Sequence, residues 1–158
     1  MESNSQSSTE SNAVAVLLVE DERPTSLGLQ AELRKRGFAV DIAKSASEAS
    51  KCLSNRIYSA IVLDLILPND DPPSEASPLS KGSSQWAGVE VLRRIRHGEF
   101  AAKGSPSNVP VFVLTCVLAE DTRKEIDALA VEEFFSKPED LSIVAERIKL
   151  FLQRSRAS

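Results

Sequence analysis

Along the chain, short apolar runs alternate with longer segments of amphipathic spacing, and the alternation repeats five times. The runs cover residues 14–19, 39–43, 60–63, 111–114 and 133–136. Most are continuously apolar and rich in β-branched side chains, the pattern of strands buried on both faces. The intervening segments predict helices over 24–36, 46–54, 88–97, 120–129 and 141–154. Pro24 stands near the start of the first, and Arg34, Lys35 and Arg36 precede Gly37 at its end, which is good terminal chemistry. Ser45 and Glu48 have capping-box spacing before the second. Leu141, Val144, Ile148, Phe151 and Leu152 fall on one stripe of the fifth. Five strand–helix units in this order predict the α/β class: a doubly wound, five-stranded parallel sheet with helices on both faces. In such a sheet the chemistry gathers at the carboxyl ends of the strands.

Two stretches break the pattern. Residues 1–12 hold five serines and nothing large and apolar beyond Met1, which predicts a disordered tail. Residues 69–87 hold three prolines and five serines, with Leu79 and Trp86 as their large apolar groups. They predict a long loop inserted between the third strand and third helix, either a disordered excursion or a cover anchored by Trp86. The folded domain is then 13–154, with 155–158 a short tail. Residues 1–12 and 69–87 each carry a net charge of −2, so the overall −4 leaves the body neutral. A neutral body offers no field to attract nucleic acid or an anionic membrane, and neither is expected as a partner. The longest apolar run, 13–19, is too short to span a bilayer, and nothing before it reads as an export signal. Cys52 and Cys116 therefore read as buried free thiols in a cytoplasmic protein.

The ends of the strands carry the candidate chemistry. Glu20, Asp21 and Glu22 follow the first run, Asp64 the third, Thr115 the fourth and Lys137-Pro138 the fifth. Clustered carboxylates repel unless a cation lies among them, and hard oxygen ligands suit Mg2+. A lysine and a hydroxyl opposite that cation fit the oxygens of a phosphoryl group, and one carboxylate fits a nucleophile that forms an aspartyl-phosphate.

Taken together, Val19-Glu20-Asp21-Glu22, Leu63-Asp64, Leu114-Thr115, Phe134 and Lys137-Pro138 give the chain a sequence that resembles the response-regulator receiver domain of two-component signalling. The resemblance spans about residues 13–154 and implies the flavodoxin-like receiver fold. It implies that Asp64 is the phosphoacceptor, that Asp21 and Asp64 ligate Mg2+ with the Ile66 carbonyl, and that Glu20 supports the metal. It further implies that Thr115 and Lys137 contact phosphoryl oxygens, that Thr115 and Phe134 form a switch, and that the Lys137–Pro138 peptide is cis. Ile66 and Val117 would flank the path of a hydrolytic water, and neither can orient one. The implied protein is a phosphoacceptor rather than an enzyme with a separate substrate. Its donor would be a sensor histidine kinase or a histidine phosphotransfer protein, and its output a downstream protein target. The predicted end of the last helix suggests a stand-alone domain. A receiver-like module that binds partners without phosphate is the alternative reading, and retention of Asp21, Asp64, Thr115 and Lys137 argues against it.

Three features depart from the family pattern. The inserted loop delays the expected turn glycine to Gly88, Cys116 stands where a very small residue is usual, and Ala130-Val131 replaces a common glycine. His97, among Arg93, Arg94 and Arg96, reads as an exposed helix-end residue.

Overall fold

A computed structural model describes residues 13–67, 87–104, 106–116, 119–137 and 140–157. Its strands are β1 (Ala15–Val19), β2 (Ala39–Ala43), β3 (Ala60–Leu63), β4 (Val111–Thr115) and β5 (Glu133–Ser136). Its helices are α1 (Arg23–Lys35), α2 (Ala46–Asn55), α3 (Ala87–Arg96), α4 (Glu120–Ala128) and α5 (Leu141–Ala157). The strands form one parallel sheet in the order β2-β1-β3-β4-β5. The chain runs outward from β1 to β2 and then returns across β1 to β3, so the winding reverses between β1 and β3. A crevice opens at the carboxyl ends of strands where the winding reverses.

The pleat sends alternate residues of each strand to opposite faces. On one face Leu17, Val19, Ile61 and Leu63 pack with Leu53, Leu92 and Ile126 of α2, α3 and α4. On the other, Val16, Leu18 and Val62 pack with Leu29 and Leu33 of α1 and Val144 and Ile148 of α5. Each of these side chains is essentially inaccessible to water, and burying one contributes about 1.5–3 kcal/mol. Strands covered on both faces explain why the runs are continuously apolar rather than alternating. None of the described helices is long and apolar enough to cross a membrane.

Several expectations change. Helix α5 continues to Ala157, so residues 155–157 extend the helix rather than form a tail. Arg154 and Arg156 suit the negative end of its dipole, and the Ser155 hydroxyl donates to the Phe151 carbonyl at 3.1 Å. Ala87 begins α3 rather than ending the loop. The rest of the loop, with Trp86, lies outside the described residues, as do residues 1–12, Val117 and Pro138. Cys52 is half-buried and Cys116 is exposed, because the chain leaves the sheet after Thr115. Where the family favours glycine, Ala130 holds a φ of 55°, the left-handed region.

Candidate functional site

The sheet ladder runs one residue past the strands, and that extra residue is where the chemistry sits. Glu20 N donates to the Ala43 carbonyl at 2.9 Å, Asp64 N to the Val19 carbonyl at 2.9 Å, and Lys137 N to the Thr115 carbonyl at 2.8 Å. Glu20, Asp64 and Lys137 are thereby held level along one edge, with Thr115 as the last residue of β4.

Asp64 is held from two directions. Its Oδ1 accepts from Ile66 N at 3.0 Å and from the Thr115 hydroxyl at 3.4 Å, and its Oδ2 accepts from Lys137 Nζ at 2.9 Å. Helix α3 presses directly on the turn after it: Gly88 N donates to the Leu65 carbonyl at 3.1 Å. A Cβ on residue 88 would lie 2.1 Å from the Asp64 carbonyl oxygen and 2.6 Å from Leu65 Cα, so no side chain fits there. The delayed glycine is therefore required by close approach to the backbone of Asp64.

Glu20 is 1% exposed. Its Oε1 accepts from Glu22 N at 2.9 Å, while its Oε2 lies 2.6 Å from Lys137 Nζ without a directed hydrogen bond. Burial pushes the Glu20 carboxyl up to about 7, and the charge of Asp64 adds to this, against the pull of Lys137 and the Glu22 N–H. Burial alone would depress the Lys137 ammonium, but Glu20 and Asp64 outweigh it and hold its pKa above the ordinary lysine value. Lys137 thus remains charged and neutralises part of a buried acidic cluster.

Ligand atoms of Glu20, Asp21 and Asp64 all lie within 4.8 Å of one another, with Asp21 the exposed member. Three carboxylates gathered this closely, two of them buried and with the Lys137 ammonium as the cation among them, offer the hard oxygen donors that suit a divalent cation. Ile66 is exposed at the rim, with its N–H committed to Asp64. Phe134 lies half-buried on β5, and Arg123 of α4 stacks over its ring with Cζ 5.0 Å from the centroid.

Each residue expected at the site and described by the structure thus stands on this rim, except Phe134, which pairs with Val113 two residues before the end of β5. The Arg123 contact and the 3.6 Å ion pair from Lys137 Nζ to Glu22 Oε2 have no counterpart in the sequence reading. Both join residues distant in the chain, and no spacing rule signals them.

No protein-family model matches the chain. The transcriptional regulatory protein QseB of Haemophilus influenzae is 31% identical over 139 residues, which are 88% of this chain and 52% of that protein. The chain spans about half the length of the curated relatives it matches. A CheY-like response regulator receiver domain protein from Methanospirillum hungatei shares the fold with a TM-score of 0.68 and 17% identity, over 92% of this chain and 98% of that one. The receiver domain of the sensor histidine kinase PA1611 from Pseudomonas aeruginosa, with magnesium coordinated in its active-site cleft, has a TM-score of 0.64 and 23% identity, over 92% and 99%. Sheet order, the acid–threonine–lysine edge and these relatives agree: the chain has the fold of a response-regulator receiver domain, and the curated proteins it is similar to in sequence are response regulators.

Proposed function

We propose that the chain is a phosphoacceptor switch in which Asp64 takes a phosphoryl group from a phosphohistidine on a sensor histidine kinase or histidine phosphotransfer protein. The observation that carries this is the convergence on Asp64, 6% exposed, of the Lys137 ammonium and the Thr115 hydroxyl at 2.9 and 3.4 Å. An acid this buried and this accompanied is poised to react rather than to solvate a loop.

In the transfer, an Asp64 carboxylate oxygen attacks phosphorus and forms the new P–O bond. The P–N bond breaks, and the imidazole leaves with its electron pair and takes a proton. Lys137 and Thr115 then donate to phosphoryl oxygens in place of the carboxylate oxygens they hold in this structure. Asp21, Asp64 and the Ile66 carbonyl, supported by Glu20, would hold Mg2+, which supplies charge neutralisation on the transferring group. The chain modifies itself and turns over no separate substrate.

Movement of the Thr115 hydroxyl towards the phosphoryl group opens room behind it for Phe134 to turn inward. That shifts the face built from α4, β5 and α5, and a downstream protein reads the shift. The neutral body supports a protein reader over nucleic acid for the stretch described here.

Incubation with an acyl phosphate and Mg2+, followed by intact mass, tests the reading. The wild type should gain one acid-stable, base-labile phosphoryl group, and Asp64→Asn should gain none. Equal labelling of Asp64→Asn would end the assignment.

A further inference from the structure

The acidic edge already contains a cation, the Lys137 ammonium. It lies 2.6 Å from Glu20 Oε2 and 2.9 Å from Asp64 Oδ2. The other oxygen of each acid is occupied by a backbone N–H, from Glu22 for Glu20 and from Ile66 for Asp64. The oxygens that a divalent cation needs from these two acids are therefore the ones that the lysine holds. Two cations so close repel strongly in a poorly hydrated site, and the lysine must give ground.

The structure offers one place for it to go. Glu22 Oε2 lies 3.6 Å from Nζ, and the Glu22 side chain is 58% exposed. It is held only by the Thr25 hydroxyl, at 3.3 Å, among the described contacts. Glu22, Thr25, Cys116 and Lys137 line an open hollow of about 400 Å³, so the ammonium has room to pivot. Its ordinary competitor there is water, since Glu22 faces solvent.

We propose that Glu22 is a positioning residue: it receives the Lys137 ammonium when a divalent cation takes the Glu20 and Asp64 oxygens. The inference rests on the proposed reading of the acids as a metal site. It assigns the third acid of the Glu20-Asp21-Glu22 run a role that is not ligation. Glu22 then strengthens metal binding through the lysine, rather than through its own charge.

Mg2+ titration calorimetry on the full chain, without a phosphodonor, separates these two routes. Lys137→Met should bind Mg2+ more tightly, on the order of tenfold, because the competing cation is gone. Glu22→Gln should weaken binding roughly two- to fivefold, the scale of a solvent-exposed ion pair. In the Lys137→Met background, Glu22→Gln should have no further effect. An equal loss in both backgrounds would mean that Glu22 acts through its field alone, and would overturn the proposal. Because Lys137→Met leaves buried acids uncompensated and risks misfolding, carbon-13 NMR of the Lys137 side chain follows the same event in the wild type. Mg2+ should move its Cε resonance, and Glu22→Gln should change the end point; an identical end point overturns the proposal. Failure of the underlying metal reading looks different: the wild type would bind no Mg2+, or Asp64→Asn would bind it unchanged.

Discussion

The two sides of the β4–β5 edge are built differently. On one side, α5 buries Val144, Ala145, Ile148 and Leu152 in one core with Phe112, Leu114 and Phe135, and α1, packed against α5, adds Leu29 and Leu33 to that core. Phe151 adds an edge-to-face contact with Phe112, with centroids 5.4 Å apart. On the other side, α4 contributes one buried side chain, Ile126. Its remaining anchors are charged: Arg93 of α3 pairs with Glu125, and Arg123 lies over Phe134. The contrast separates a platform from a moving part. The platform fixes Lys137 at the start of the connection into α5. The part that would respond to Thr115 and Phe134 in the proposed switch rests on a helix that little apolar packing restrains, where low local stability belongs.

The largest expected effect tests that difference directly. Ile148→Ala on the platform should cost about 2–5 kcal/mol in chemical denaturation, as a cavity in a core that cannot collapse. Ile126→Ala removes the same atoms from a helix that can relax, so its global cost should be smaller. Its signature should be faster hydrogen exchange confined to α4 amides, with α1 and α5 protection retained. Equal global costs and uniform exchange would show that α4 is as tightly integrated as α5.

How far this contrast was legible in the sequence depends on the range of the interactions. The strands and helices were readable because each announces itself within a dozen residues, through unbroken apolar runs and through the stripe from Leu141 to Leu152. The acids, Thr115 and Lys137 were readable because a parallel sheet places every strand end on one edge. Cys116 was misread because it continues an apolar run whose strand stops at Thr115. Residues 155–157 were misread because the apolar stripe ends at Leu152, while backbone and side-chain hydrogen bonds carry α5 onward without one. The Arg123–Phe134 stack and the reason for Gly88 depend on elements that meet only in three dimensions.

Next in size is the contact that ties α4 to Phe134, the residue of the proposed switch. Arg123 over Phe134 is worth about 0.5–1 kcal/mol at this exposure. Arg123→Gln should therefore change the Phe134 rotamer populations by roughly two- to fivefold, visible in its aromatic NMR resonances. An unchanged Phe134 signal would detach α4 from the switch and leave Ile126 as its link to the core.

The two sides also differ in how they make left-handed turns. After α1 the position is Gly37, with a φ of 91°, while after α4 it is Ala130, with a φ of 55°. The alanine carries steric strain that glycine would not, partly offset by its smaller loss of unfolded-chain entropy. Arg96 steadies this corner by donating to the Leu129 carbonyl at 2.8 Å and the Ala130 carbonyl at 3.1 Å. Ala130→Gly should raise stability by about 0.5–1 kcal/mol, read from the denaturation midpoint. Gly37→Ala should lower it by a similar amount. Opposite signs at equivalent turns would locate the residual strain on the α4 side, and a loss at both would place none there.

The smallest effect belongs to the platform and concerns pH. Arg36 follows α1 and clamps it to α5: its Nε donates to Glu146 Oε2 at 2.9 Å, its Nη1 to Glu32 Oε2 at 2.9 Å, and its Nη2 to the Ser142 carbonyl at 3.2 Å. Hydrogen bonds from Arg36 hold both the Glu32 and the Glu146 carboxyls below the ordinary glutamate range. A carboxyl depressed in the folded state binds its proton more readily in the unfolded chain. Its contribution is therefore complete above the unfolded value and disappears as pH falls through the folded one. The difference in melting temperature between wild type and Arg36→Gln should be greatest at neutral pH and narrow on acidification below about 4.5. Because the acids are solvent-facing, it should also shrink with added salt. Part of the difference should survive both treatments, since the bond to the Ser142 carbonyl involves no titrating acid. A difference that ignores pH would assign the whole α1–α5 clamp to that carbonyl and to apolar contact. The platform would then owe nothing to charge, and charged anchoring would be a property of α4 alone.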